Sequence, residues 1–119
     1  MTTNKPIRRV AIIGTGVIGA SWSALFLAKG LQVTATDVAP NAEAALRRFV
    51  EMAWPALKRL GLAPGVSQSN LKFNAVLAQA VAAADLVQEN GPERIDFKKK
   101  LYGELDELLP PDVIIASSS

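Results

Sequence analysis

Apolar and polar positions along this chain repeat with two alternating periods, and the switches between them mark out its elements. "RRVAIIG" (8–14) is a short β-branched apolar run ending in glycine, the pattern of a buried strand. In "VIGASWSALFLAKG" (17–30) the period changes: Ile18, Trp22, Leu25 and Phe26 fall on helical spacing, and Gly30 stands where a glycine ends a helix. "LQVTATD" (31–37) alternates and predicts a second strand. Pro40 and Asn41 open a long helical stretch over 42–60, in which Pro55 is expected to produce a kink or start a second helix.

The remainder follows the same rhythm. Glycine, proline and serine make 61–70 a loop, and "LKF" (71–73) reads as a short third strand. The alanine-rich stretch 75–85 predicts a helix with Leu77 and Val81 one turn apart. "LVQEN" (86–90) reads as a strand and "GPER" (91–94) as a turn. Residues 95–109 form a helical pattern with Phe97, Leu101, Leu105 and Leu108 on one stripe, stopped by Pro110 and Pro111. "DVIIAS" (112–117) is the fifth strand. Strands alternating with helices over short connections predict an α/β fold: a doubly wound parallel sheet of the Rossmann type, strand order 3-2-1-4-5.

Composition narrows the function. The chain has 119 residues, 50% of them hydrophobic and 20% charged, with a net charge of +2, as expected of one ordinary globular domain. So small a charge gives no strong field, and no basic face interleaved with aromatics points to nucleic acid. There is no cysteine and no histidine, so disulfides and thiol chemistry are excluded and no zinc site is expected. No export signal is visible and no apolar stretch approaches the ~20 residues that span a bilayer, so no membrane partner is expected and a cytoplasmic setting is the default.

The chemistry lies in "GTGVIG". Gly14, Gly16 and Gly19 match G-x-G-x-x-G, a weak signal alone. Here the pattern follows an apolar strand, opens an amphipathic helix, and precedes Asp37 at the end of the next strand by 18 residues. That context makes it a dinucleotide fingerprint. Gly14 permits the turn, Gly16 lets backbone approach a diphosphate, and Gly19 allows close helix–sheet packing. The candidate cofactor-binding residues of this turn are Gly14, Thr15, Gly16, Val17, Ile18 and Gly19, whose amides and helix dipole favour an anion. Asp37 suits the two ribose hydroxyls of NAD and opposes the 2′-phosphate of NADP. FAD proteins share this first unit, and the fingerprint alone leaves a flavin open.

Three longer stretches add to this. "GTGVIGASWSALFLAKGLQVTATD", "DLVQENGPERIDFKKKLYGELD" and "PPDVIIASSS" resemble the NAD-binding domain of the 3-hydroxyacyl-CoA dehydrogenase family from Arg9 to Ser119. "GVIGASW", "VQENGPER" and "ASSS" are most similar to the branch that holds L-carnitine dehydrogenase and lambda-crystallin. The resemblance implies that Glu93 and Lys98 contact the nicotinamide half of the cofactor. Read from the residues alone, Glu93 would be a helix N-terminal acid and Lys98 part of a solvated "KKK" face. The resemblance also implies a catalytic serine one position beyond Ser119, with a histidine–glutamate pair and a helical substrate domain later still. Residues 1–119 are then the dinucleotide-binding domain without its C-terminal substrate and dimerisation domain, and the full-length protein is a homodimer. Ser118 stands where many acyl-CoA members have asparagine, which weakens a transfer of their substrate.

The expected function is the NAD-binding domain of an oxidoreductase. It would pass hydride from the 3-hydroxyl of a small hydroxy acid to NAD, with L-carnitine the best single substrate and 3-hydroxyacyl-CoA the alternative. A non-catalytic NAD sensor or crystallin-like structural protein is the alternative of another class. Alcohol oxidation needs a base for the hydroxyl proton, usually histidine, and this chain has none. Ser117, Ser118 and Ser119 have no base in sequence to activate them, so the chain holds no expected catalytic residue and is expected to be inactive alone.

Overall fold

Five parallel strands lie in the order β3-β2-β1-β4-β5 in the computed structural model, which describes residues 6–90 and 95–118. The strands are β1 (Arg9–Ile13), β2 (Gln32–Thr36), β3 (Leu71–Phe73), β4 (Leu86–Glu89) and β5 (Ile114–Ser117). The helices are α1 (Val17–Ala28), α2 (Ala42–Leu60), α3 (Leu77–Ala80) and α4 (Ile95–Leu108). The chain builds outward from β1 to β3, then returns to the other side of β1 for β4 and β5. That reversal leaves a crevice beyond the strand ends at β1 and β4, where open α/β sheets bind ligands.

The register sets the strand ends level. Ile13 pairs with both Thr36 and Glu89, and Glu89 pairs with Ser117. Period-two alternation then divides the sheet between two cores. Val10, Ile12, Val33 and Ala35 pack against Ala20, Ala24 and Leu27 of α1 and Leu46 and Val50 of α2. Ala11, Ile13 and Val87 face Val81, Leu101 and Leu105 on the other side. Leu27, Leu46 and Leu105 have no exposed surface; burying such a side chain stabilises the fold by about 1.5–3 kcal/mol each.

Several elements differ in detail from the sequence reading. α1 turns Gly19, Ala20, Ser23 and Ala24 toward the sheet, while Ile18 and Leu25 are exposed. The first half of the helix lies close against the sheet through these small residues, and Leu27 in its last turn is the large side chain it buries there. Trp22 and Phe26 stack at 5.4 Å and pack at the margin of the first core. Gly30 ends the helix as expected: at φ 89° it donates to Leu27 O while Leu31 donates to Phe26 O.

α2 runs unbroken through Pro55, so no second helix starts there. Glu51 and Pro55 are both exposed, and water can satisfy the Glu51 carbonyl that the proline ring leaves without an amide partner. The alanine-rich stretch yields only the single turn of α3, after which Ala82 and Ala84 donate to carbonyls three residues back. In α4, Leu101 and Leu105 are buried but Leu108 is exposed; Leu109, one turn beyond Leu105, packs instead. No helix among the described residues is long and apolar enough to cross a membrane.

Candidate functional site

The turn after β1 is built by three backbone requirements. Gly14 adopts φ 91°, a left-handed conformation that side chains disfavour, and its amide donates to Thr36 O at 2.9 Å. Gly19 sits against the turn: a Cβ there would stand 1.8 Å from Gly14 O. Gly16 has ordinary angles, φ −64° and ψ −168°, and an added Cβ would meet nothing within 4 Å. Its missing side chain therefore serves no internal packing. It leaves open space in front of the helix start.

That helix start is equipped for an anion. The first intrahelical bond runs from the Ala20 amide to Gly16 O at 2.8 Å, so the Val17, Ile18 and Gly19 amides have no partner within the helix. No side chain caps the end at Gly16. Val17 and Ile18 are exposed beside the turn, whereas Thr15 and Gly19 are buried behind it. An open cradle, free amides and a positive dipole end fit a diphosphate.

Asp37 follows the end of β2 and closes over the same turn. Its Oδ2 accepts from the Thr15 amide at 2.6 Å and the Thr15 hydroxyl at 3.0 Å, and Oδ1 accepts from the Ala39 amide at 3.0 Å. Burial raises its pKa, but these bonds outweigh burial and hold the carboxyl below the usual aspartate value. The group is an anion at neutral pH.

Gly14, Gly16 and Asp37 line one cavity of about 540 Å³, whose other walls include Val38, Ala75, Leu77, Asn90, Lys100 and Glu104. A smaller hollow of about 320 Å³ lies between the end of α4 and the start of β5. Several wall residues escaped the sequence reading, the hydrogen-bonding or charged Asn90, Lys100 and Glu104 among them. Asn90 donates its backbone amide to Ile13 O at 2.9 Å and its side-chain amide to Gly14 O at 3.4 Å, bracing the turn from β4. Lys100 and Glu104 reach the cavity from α4. Their spacing of four on a helix that begins just past the fingerprint crevice was the available signal.

Lys98 is not in that wall. Its Nζ lies 3.7 Å from Oε1 of Glu89, the last residue of β4, which has no exposed surface. Glu93 lies outside the described residues, as does Ser119. The other two serines are held on opposite sides of the sheet. Ser117 donates to Glu89 Oε1 at 3.1 Å, and Ser118 Oγ accepts from Gln88 Nε2 at 2.6 Å and Trp22 Nε1 at 3.1 Å. Both are strand-end anchors in this structure.

Known proteins share this arrangement. A protein from Streptomyces coelicolor described as L-carnitine dehydrogenase is 55% identical over the whole chain, which covers 37% of that protein. One of the same description from Pseudomonas putida is 50% identical over 95% of the chain and 35% of its own length. The chain thus spans about a third of the length of these relatives.

Among solved structures, an NAD+-dependent dismutase described as 5-formyl-3-hydroxy-2-methylpyridine 4-carboxylic acid 5-dehydrogenase superposes with a TM-score of 0.85. It is 39% identical over 96% of the chain and 37% of its own. Escherichia coli 3-hydroxybutyryl-CoA dehydrogenase gives 0.83 at 27% identity, over 97% of the chain and 25% of its own. Residues 9–119 match the family described as "3-hydroxyacyl-CoA dehydrogenase, NAD binding domain". With the glycine turn, Asp37 and the 3-2-1-4-5 sheet in place, the chain belongs to the NAD-binding domain of the 3-hydroxyacyl-CoA dehydrogenase family.

Proposed function

We propose that this chain is the NAD-binding domain of a dehydrogenase that oxidises the 3-hydroxyl of a small hydroxy acid, with L-carnitine the favoured substrate. The single observation that carries the substrate is the identity of 55% to an L-carnitine dehydrogenase across the whole chain, against 27% to a 3-hydroxybutyryl-CoA dehydrogenase. Ser118 agrees with it. Its hydroxyl is occupied by Trp22 and Gln88, a pairing that a longer asparagine would have to rearrange.

In this reading each residue has a physical task. The amides of residues 17–19 and the open cradle at Gly16 hold the diphosphate. Asp37, anionic at neutral pH, accepts from the adenosine ribose hydroxyls and disfavours a 2′-phosphate. Leu77, Ala75 and Val38 supply apolar wall for the adenine, with Lys100 and Glu104 at its rim. Lys98 and Glu93 attend the nicotinamide end. Bound NAD would supply the hydride acceptor. The proton of the alcohol needs a base, most often histidine, and these 119 residues contain no histidine. The remaining length of the relatives is where the base, the substrate pocket and the dimer contacts are to be sought.

The test has two parts. Calorimetry on the chain should find NAD binding but no steady NADH formation with L-carnitine. An assay of the whole gene product should give NADH with L-carnitine and little with 3-hydroxybutyryl-CoA. Preference for the thioester would overturn the substrate.

A further inference from the structure

We propose that Glu89 is a positioning residue for the nicotinamide end of the cofactor site, holding the Lys98 ammonium and the Ser117 hydroxyl at the sheet edge. The inference rests on the NAD-binding reading above. Glu89 has no exposed surface, and a polar side chain so placed needs hydrogen-bonding or charged partners. Among the described residues, Ser117 Oγ donates to Oε1 at 3.1 Å, Tyr102 OH donates to it at 3.3 Å, and Lys98 Nζ stands 3.7 Å from it. They come from β5 and from two successive turns of α4.

The register puts this cluster at the far end of the crevice. Asp37 follows β2, the glycine turn follows β1, and Glu89 ends β4 beside Ser117 of β5. From β2 to β5 is three strand spacings, on the order of 14 Å. A dinucleotide with its adenosine ribose at Asp37 and its diphosphate at Gly16 must extend its second nucleoside toward β4 and β5. Lys98, Lys99 and Lys100 are consecutive, yet their placements differ: the first is drawn inward to Glu89 while the other two are exposed. Glu89 is what separates Lys98 from a solvated run.

A purely structural buried pair would stabilise the whole domain and favour no part of the ligand. A positioning role makes a different demand: loss of Glu89 must weaken NAD while sparing a ligand that lacks the nicotinamide nucleoside. ADP is that ligand. In Glu89→Gln, NAD affinity should fall roughly tenfold, whereas ADP affinity should stay within about twofold. Lys98→Met should show the same selective loss, and the double variant should be no worse than Lys98→Met.

Equal weakening of NAD and ADP in Glu89→Gln, or no change in either, overturns the inference and leaves the NAD reading standing. Failure of the unaltered chain to bind either ligand overturns both. Should Glu89→Gln not fold, amine acylation of the unaltered chain decides. Lys98 should react more slowly than Lys99, and NAD but not ADP should slow it further. Equal reactivity of the two lysines, or equal protection by ADP, contradicts the role.

Discussion

Gly14 and Gly19 are pressed together so closely that a methyl group on Gly19 would stand 1.8 Å from the Gly14 carbonyl oxygen. The neighbour is backbone, which has no rotamer to give way. Gly19→Ala must therefore lift α1 from the sheet, and overpacking of this kind costs about 1–3 kcal/mol or more. Thermal melts should show a clear loss of Tm before any ligand is added.

Gly16 makes the opposite case with the same substitution. Its angles suit any residue and its missing Cβ faces open space. Gly16→Ala should melt within a few tenths of a kcal/mol of the parent yet lose NAD affinity about tenfold or more, since the methyl occupies ground meant for the diphosphate. Melts and calorimetry on the pair separate a packing glycine from a binding glycine.

Asp37 gives a pH signature. Its folded pKa lies below the ordinary aspartate value, because hydrogen bonds from Thr15 and Ala39 outweigh burial. A depressed carboxylate adds stability that is fully present above the unfolded pKa and is lost as pH falls through the folded one. Asp37→Asn should therefore be less stable than the parent at pH 7, with the gap closing as pH drops below about 4. Tm measured against pH for both proteins checks the sign.

The same carboxylate sets cofactor choice. A unit charge at ~4 Å from a phosphate costs about 1–4 kcal/mol at surface-like dielectrics, so NAD should bind at least about fivefold more tightly than NADP. Asp37→Asn should narrow that ratio mainly by improving NADP. Competition binding with both nucleotides would read it directly.

Pro55 interrupts the bonding of α2 without interrupting the helix, and it does so on an exposed face. Pro55→Ala restores the amide missing from the Glu51 carbonyl and should stabilise the chain. The proline's helix cost of ~3 kcal/mol is partly offset by the freedom it removes from the unfolded chain, leaving a gain of about 1–2 kcal/mol. A rise in Tm with unchanged NAD affinity is expected.

The fold was legible where periodicity and punctuation agreed. The glycine-ended strand, the helix ending at Gly30, Asp37 after the next strand and the sheet order all follow from short apolar runs bounded by strong turn residues. Alanine-rich stretches were less readable, because alanine favours helix without giving it a buried face to hold. α3 accordingly closes after one turn. The facing of α1 was hidden for a related reason. A helix lying tightly on a sheet buries small residues such as Gly19, Ala20, Ser23 and Ala24, so Ile18 and Leu25, which a periodicity reading counts, are left exposed.

At the site, the glycine turn and Asp37 do converge on one cavity, while Lys98 turns instead to a carboxylate that alternation alone could not single out. In "LVQEN" the strand pattern leaves two polar residues in succession, and only the register shows that Gln88 and Glu89 anchor Ser118 and Ser117 on opposite faces. Asn90 lay within "VQENGPER", yet nothing in that stretch gave its side chain a role. Its task is to hold a neighbouring strand's carbonyl, a contact invisible in sequence.

The most direct test of the account is a crystal structure of the chain grown with NAD. The account predicts the diphosphate within hydrogen-bond distance of the amides at the start of α1, beside Gly16, and the adenosine ribose hydroxyls on Asp37. A dinucleotide seated elsewhere, or a glycine turn left without phosphate at saturating NAD, would contradict it.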